Sequence, residues 1–207
     1  MTVNTEMKAV IQTLSEAASV KAAETLKRLT DKDWRVAGVA LEASSGLPES
    51  FSGDSADSDC HAVFVDWKGS GSLIFMPNES AVAMARAFVF KNLGPGENSS
   101  ESREGLMQTL GLDAIAEIGN IMAHSVATVW ADACDMAFIL SAPDVYRAPS
   151  DELRRRIVER LKGCGKLTLA VTLDMRSESL PARCLIGAVL SPEMVEKLST
   201  ASFGNRT

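Results

Sequence analysis

Aromatic residues are scarce: 7 Phe, 3 Trp and 1 Tyr make up 5% of the 207 residues. The core must therefore rest on Leu, Val, Ile, Ala and Met. Histidine is scarcer still, with only His61 and His124. The four cysteines, Cys60, Cys134, Cys164 and Cys184, contain no Cys-x-x-Cys pair. Zinc-ligand spacing is thus absent, and the isolated neighbours Cys60 and His61 do not make a ligand set. There is no basic excess either: 21 Lys and Arg stand against 27 Asp and Glu, a formal net charge of −6. That balance argues against a nucleic-acid partner, because phosphate backbones require clustered cations. The one dense basic cluster, Arg154, Arg155 and Arg156, is interleaved with Glu152 and Glu159 and reads as a solvated helix face. No apolar run approaches the length of a membrane span. The first six residues, Met1 to Glu6, lack the charged and apolar regions of a secretion signal. The expectation is a cytoplasmic protein with reduced thiols.

What is present is hydrophobic periodicity, and it runs twice. Ile11, Leu14, Ala18, Ala22 and Leu29 form one stripe of a helix over 6–29. A strand is expected over 34–41, then a Ser/Gly/Asp/Pro-rich loop over 44–58. Strands follow over 61–67 and 72–76, joined by a turn at Lys68-Gly69-Ser70-Gly71. A second helix is expected over 80–93. The segment 94–103, opening Gly94-Pro95-Gly96, reads as a linker. The pattern then restarts: a long helix over 106–132, a strand over 136–141, and a charged helix over 150–162 opened by Ser150. Strands over 167–173 and 184–190 and a helix over 192–198 starting at Pro192 complete it. Each half reads helix, strand, long connection, two strands, helix. The expected architecture is a single α/β (α+β) domain over 1–207 with pseudo-twofold symmetry. Its half-repeats cover about 4–93 and 105–199, with the two long helices packed together on a β-sheet.

The chemistry-bearing segment is Asp113-Ala114-Ile115-Ala116-Glu117-Ile118-Gly119-Asn120. At 3.6 residues per turn, Asp113, Glu117 and Asn120 share a narrow arc. Ile115, Ile118, Met122, Val126 and Val129 take the opposite arc, which must be the buried one. A carboxylate can grip a cation, and an amide, both donor and acceptor, can orient a water. Wet helix faces commonly carry acids and amides, so the trio alone does not decide between chemistry and solvation. No Ser, Cys or His has a paired base at a recognisable spacing, so a covalent nucleophile is not indicated.

The helix resembles the signature of the CheC/CheX/FliY chemotaxis phosphatases: Asp or Ser, three residues, Glu, two residues, Asn, 22 residues, Pro. Asp113, Glu117, Asn120 and Pro143 occupy the fixed positions, with 121–142 filling the gap. The length and repeat layout are similar to CheC, which carries two copies of the unit. An offset of 101 residues places Gln12, Glu16, Ser19 and Glu42 at the matching positions of the first half, which therefore reads as a degenerate site. Met122 and His124 stand where the family usually has small residues. Met122 belongs to the buried arc, and His124 lies one turn beyond Asn120.

The resemblance implies an enzyme that hydrolyses the aspartyl phosphate of a CheY-type response regulator. Asn120 would orient the attacking water, and Glu117 would pair with the regulator's active-site Lys. Asp113, His124 and Pro143 would support the site or its interface. No cofactor is implied for this chain, since Mg²⁺ comes with the regulator. Two other readings stay open. One is a non-catalytic adaptor, like the flagellar switch proteins, that binds the regulator or a motor component. The other is a scaffold that binds CheD.

Overall fold

The computed structural model describes residues 5–42, 57–67, 70–92, 100–163 and 169–200. Most of the loop expected over 44–58, the residues Lys68 and Gly69 of the expected turn, and the linker residues 94–99 lie outside them. So do Leu167 and Thr168, the start of an expected strand. The elements are α1 (Thr5–Thr30), β1 (Arg35–Glu42), β2 (Asp59–Trp67), β3 (Ser70–Pro77), α2 (Asn78–Asn92), α3 (Ser100–Cys134), β4 (Asp144–Pro149), α4 (Ser150–Gly163), β5 (Leu169–Ser177), β6 (Ala182–Leu190) and α5 (Pro192–Thr200).

Two expectations are corrected. Residues 100–103, expected within the linker, are the first turn of α3. The strand expected over 136–141 does not form, and the strand is Asp144–Pro149. The alternation there is real: Met136, Phe138 and Leu140 are half-buried while Ala137 and Ile139 are exposed. But Asp59 to Phe64 of β2 are already paired by β4, leaving Leu140 only an isolated bridge to Trp67. Pro143 stands between the bridge and the ladder, and without an N–H it cannot extend the pairing.

The six strands form one antiparallel sheet in the order β1-β5-β6-β3-β2-β4. Exchanging the halves (β1 with β4, β2 with β5, β3 with β6) leaves that order unchanged. Each half's first strand adds to the hairpin of the other half, so the halves interlock. The fold is α+β, with five helices among the described residues against an antiparallel sheet. One face carries the main core, where residues such as Ile11, Leu26, Met84, Ile118 and Trp130 of α1, α2 and α3 pack on Val63, Ile74 and Ile186. On the other face, Leu153 and Ile157 of α4 cover Phe64, Phe75 and Leu185. No helix among the described residues is long and apolar enough to cross a membrane.

The two long helices meet at a buried hydroxyl pair, Thr25 and Ser125, with Oγ1 and Oγ 2.9 Å apart and 100 residues between them in sequence. The burial pattern carries the same register. Ala18 and Ile118, Ser19 and Gly119, Ala22 and Met122, Leu26 and Val126, and Thr30 and Trp130 are buried in both helices. The pseudo-dyad therefore passes between Thr25 and Ser125, and the helical offset is 100 residues rather than 101.

Candidate functional site

A one-residue change of offset turns the compared helix face by about 100°. On the observed register, the counterparts of Asp113, Glu117 and Asn120 are Thr13, Ala17 and Val20. Val20 is 58% exposed, an apolar side chain where the other half carries its amide. The alignment of Glu16 with Glu117 is thus corrected. Glu16 instead accepts a hydrogen bond from Gln12 Nε2 at 3.0 Å, within its own helix. Ser19, expected as the counterpart of Asn120, is buried, and its hydroxyl donates to the Glu16 carbonyl at 2.7 Å. It cannot present that hydroxyl to a water outside. Glu42 ends β1, whereas Pro143 immediately precedes β4 as Trp34 precedes β1.

In α3 the expected arcs hold. Ile115, Ile118, Met122 and Val126 are buried, Val129 is half-buried, and Asp113, Glu117 and His124 are exposed. Asn120, expected on the exposed arc, is half-buried. The reason is a cleft of about 680 Å³ that opens beside it. Asn120, Ile121, His124, Ser125 and Thr128 of α3 form one wall, and Lys21, Thr25 and Arg28 of α1 the other. The segment Leu140–Pro143 closes one side. Asn120, His124 and Pro143 thus meet at one place, while Asp113 and Glu117 lie on the exposed face outside the lining.

The closing segment exists because α3 runs past the point where α1 stops. The residue after each helix has a left-handed backbone, Asp31 at φ 55° and Asp135 at φ 49°. Thr30, the last residue of α1, corresponds to Trp130, yet α3 continues to Cys134, one turn further. The chain must then return along the cleft to reach β4. Ser141 anchors that return: its N–H donates to the Asp66 carbonyl at 2.9 Å, and its hydroxyl accepts from the Asp66 N–H at 3.0 Å. The Asp66 carboxylate is in turn held by Arg160 of α4 at 2.8 Å, and Arg160 also reaches Asp144, the first residue of β4. The guanidinium lies 4.3 Å from the centroid of the Phe64 ring. Arg160 therefore brackets the closing segment from the far side of the sheet, a positioning role that no sequence spacing signalled.

The height of Asn120 above the sheet is set by Gly119. A Cβ there would lie 2.5, 2.6 and 2.8 Å from Cγ1, Cβ and Cγ2 of Val63 on β2. Helix backbone and strand side chain are in direct contact, which only glycine allows. The sequence placed Gly119 inside the motif without revealing this contact.

His61 is not part of the site. It is buried, its Nε2 lies 3.0 Å from Asn78 Oδ1, and burial holds its pKa below the ordinary imidazole value. Among the described residues no group of three or more His, Cys, Asp or Glu could hold a metal ion. Cys60, Cys134 and Cys184 are buried, and burial raises the pKa of the latter two.

Residues 110–147 match the CheC-like family, a span that contains Asp113, Glu117, Asn120 and Pro143. No curated protein sequence matches the chain. Among solved structures, the fold is similar to that of FliY from Thermotoga maritima. That pair is 21% identical with a TM-score of 0.64, covering 96% of each chain. It is similar to the middle domain of FliM from H. pylori, 11% identical with a TM-score of 0.51, covering 95% of this chain and 99% of that one. It is also similar to the chemotaxis protein CheX from Desulfovibrio desulfuricans, 9% identical with a TM-score of 0.50, covering 86% and 99%.

Proposed function

We propose that this chain, which belongs to the CheC/CheX/FliY family, is a phosphatase for the aspartyl phosphate of a CheY-type response regulator. The observation that carries the reading is the placement of Asn120. It stands on the rim of a cleft, on a helix seated against the sheet through Gly119, one turn from the exposed Glu117. An aspartyl phosphate is intrinsically labile, so acceleration requires mainly an in-line water and a site held still. The Asn120 amide accepts a hydrogen from that water through its oxygen and donates to a phosphoryl oxygen through its nitrogen. Glu117 pairs with the regulator's active-site Lys and sets the docking register. The Mg²⁺ that neutralises the phosphoryl charge arrives with the regulator, and this chain contributes no cofactor.

The test is to incubate the protein with a phosphorylated CheY-type regulator and follow phosphate loss. Phosphate should disappear faster than from the regulator alone. A regulator that binds but loses phosphate at its unaided rate would make the protein an adaptor, as in the flagellar-switch reading.

Two substitutions probe the arrangement. Glu117→Lys opposes two cations across the interface and should weaken binding of a regulator carrying a stable phosphoryl mimic about tenfold. Unchanged affinity in the titration would remove Glu117 from the interface. Glu16→Ala, on the helix that lacks the amide, should change turnover by less than a factor of about two, a barrier change well under 1 kcal/mol. A loss equal to that of Glu117→Ala would mean that the first half holds a second working site.

A further inference from the structure

Three pairs of dyad counterparts line the cleft: Lys21 with Ile121, Thr25 with Ser125, and Arg28 with Thr128. Two of these pairs are unlike, and in both the cation comes from the first half. Lys21 and Arg28 lie seven residues apart on one side of α1, and both are exposed. Among the described residues that line the cleft there is no Asp or Glu. Glu24, between them in sequence, does not line it. This basic cleft occurs in a chain of net charge −6, so it is not the expression of a generally cationic surface. The charge differs on the two sides of Asn120: Asp113 and Glu117 precede it on α3, outside the cleft, and Lys21 and Arg28 stand across the cleft from it on α1.

We propose that Lys21 and Arg28 form the docking arm of the site and receive an acidic segment of the phosphorylated regulator beside its aspartyl phosphate. The proposal rests on the function proposed above and adds the residues that orient the partner. A surface that is negative on one side of Asn120 and positive on the other accepts a partner in one orientation. The partner's cation must meet Glu117 and its acids must meet the cleft. Charges placed this way act mainly on encounter and register, and ionic strength screens them. The first half lacks Asn120's counterpart, and its helix supplies the docking wall instead.

The test uses the full chain with both cations neutralised, Lys21→Gln with Arg28→Gln. Both side chains are exposed, and an unchanged circular dichroism spectrum checks the fold. A CheY-type regulator loaded with beryllofluoride and Mg²⁺ is titrated at about 50 mM and about 500 mM salt, bracketing a strong and a weak screening regime. At low salt the variant's Kd should rise about tenfold over wild type, and at high salt the two should converge to within about threefold. Turnover at saturating phosphorylated regulator should stay within about a factor of two, since neither cation orients the water. A variant Kd within twofold of wild type at low salt would overturn the docking arm while leaving phosphatase activity intact. Charge-dependent binding without any acceleration of hydrolysis would overturn the proposed function and leave the docking arm standing. A wild-type protein that does not bind the loaded regulator would overturn both. Inorganic phosphate alone should not bind in a manner that depends on Lys21 and Arg28. If it does, the occupant is the product anion, and the assignment to an acidic segment fails.

Discussion

Asn120→Ala lowers the acceleration of phosphate release by about 10²-fold or more and leaves the melting temperature within a few degrees of wild type. The magnitude is that of removing one positioned hydrogen-bonding group from a transition state, about 2.7 kcal/mol for each hundredfold. Alanine keeps the helix propensity of the position and takes nothing from the core, because Asn120 is half-buried on the cleft side and not among the buried residues of α3. The loss should fall on turnover rather than on affinity for the loaded regulator, since in the proposed function the amide acts on the water. That separates it from Glu117→Lys and from the Lys21 and Arg28 pair, which should move affinity. Single-turnover dephosphorylation by the alanine variant at near wild-type rate would eliminate the water-orienting role.

The second large effect is expected at a residue that touches no partner. Gly119→Ala places a methyl 2.5 Å from Val63 Cγ1, 2.6 Å from Cβ and 2.8 Å from Cγ2. Val63 is fully buried and β-branched, so its rotamer cannot swing clear. The helix must lift from the sheet, an overpacking cost of about 2 kcal/mol. For a chain of this length that corresponds to a melting temperature lower by roughly 5 °C. The lift also moves Asn120, the next residue, relative to the Leu140–Pro143 wall, and displacement of that kind can cost about 10²-fold in rate. Val63→Ala in the same chain removes the 2.5 and 2.8 Å contacts but keeps the 2.6 Å one. It should therefore return part of the lost activity to Gly119→Ala. A single Gly119→Ala variant with wild-type melting and wild-type turnover would show that α3 and β2 are not in the close contact described.

The family match and the site helix were legible in the sequence because both are local. A helix places Asp113, Glu117 and Asn120 by counting, and the burial of Ile115, Ile118, Met122 and Val126 follows from the same count. Short apolar runs bounded by turn residues likewise located β1, β2, β3, β5 and β6 to within a few residues. The same kind of run failed at 136–141, because its alternating burial fits any extended chain beside a core. Only pairing makes a strand, and Asp59 to Phe64 had already paired with β4. The repeat offset failed for a related reason. Glu16 matched Glu117 by residue type, and a single identity outweighed a register that rests on many small contacts.

The sequence by itself determined the helix that carries Asp113, Glu117 and Asn120, the residues on its wet face, and the two-half order of elements. Each of these depends on neighbours within a few positions of one another. Tertiary structure alone decided the rest, because every remaining feature joins residues far apart in the chain. The dyad passes between Thr25 and Ser125, 100 positions apart. Gly119 is required by Val63 on another element. Lys21 and Arg28 face Asn120 only because α1 and α3 pack side by side, and Leu140–Pro143 closes the cleft only because the edge of β2 was occupied. A cleft is a property of surfaces brought together by packing, and no run of consecutive residues records which surface it will meet.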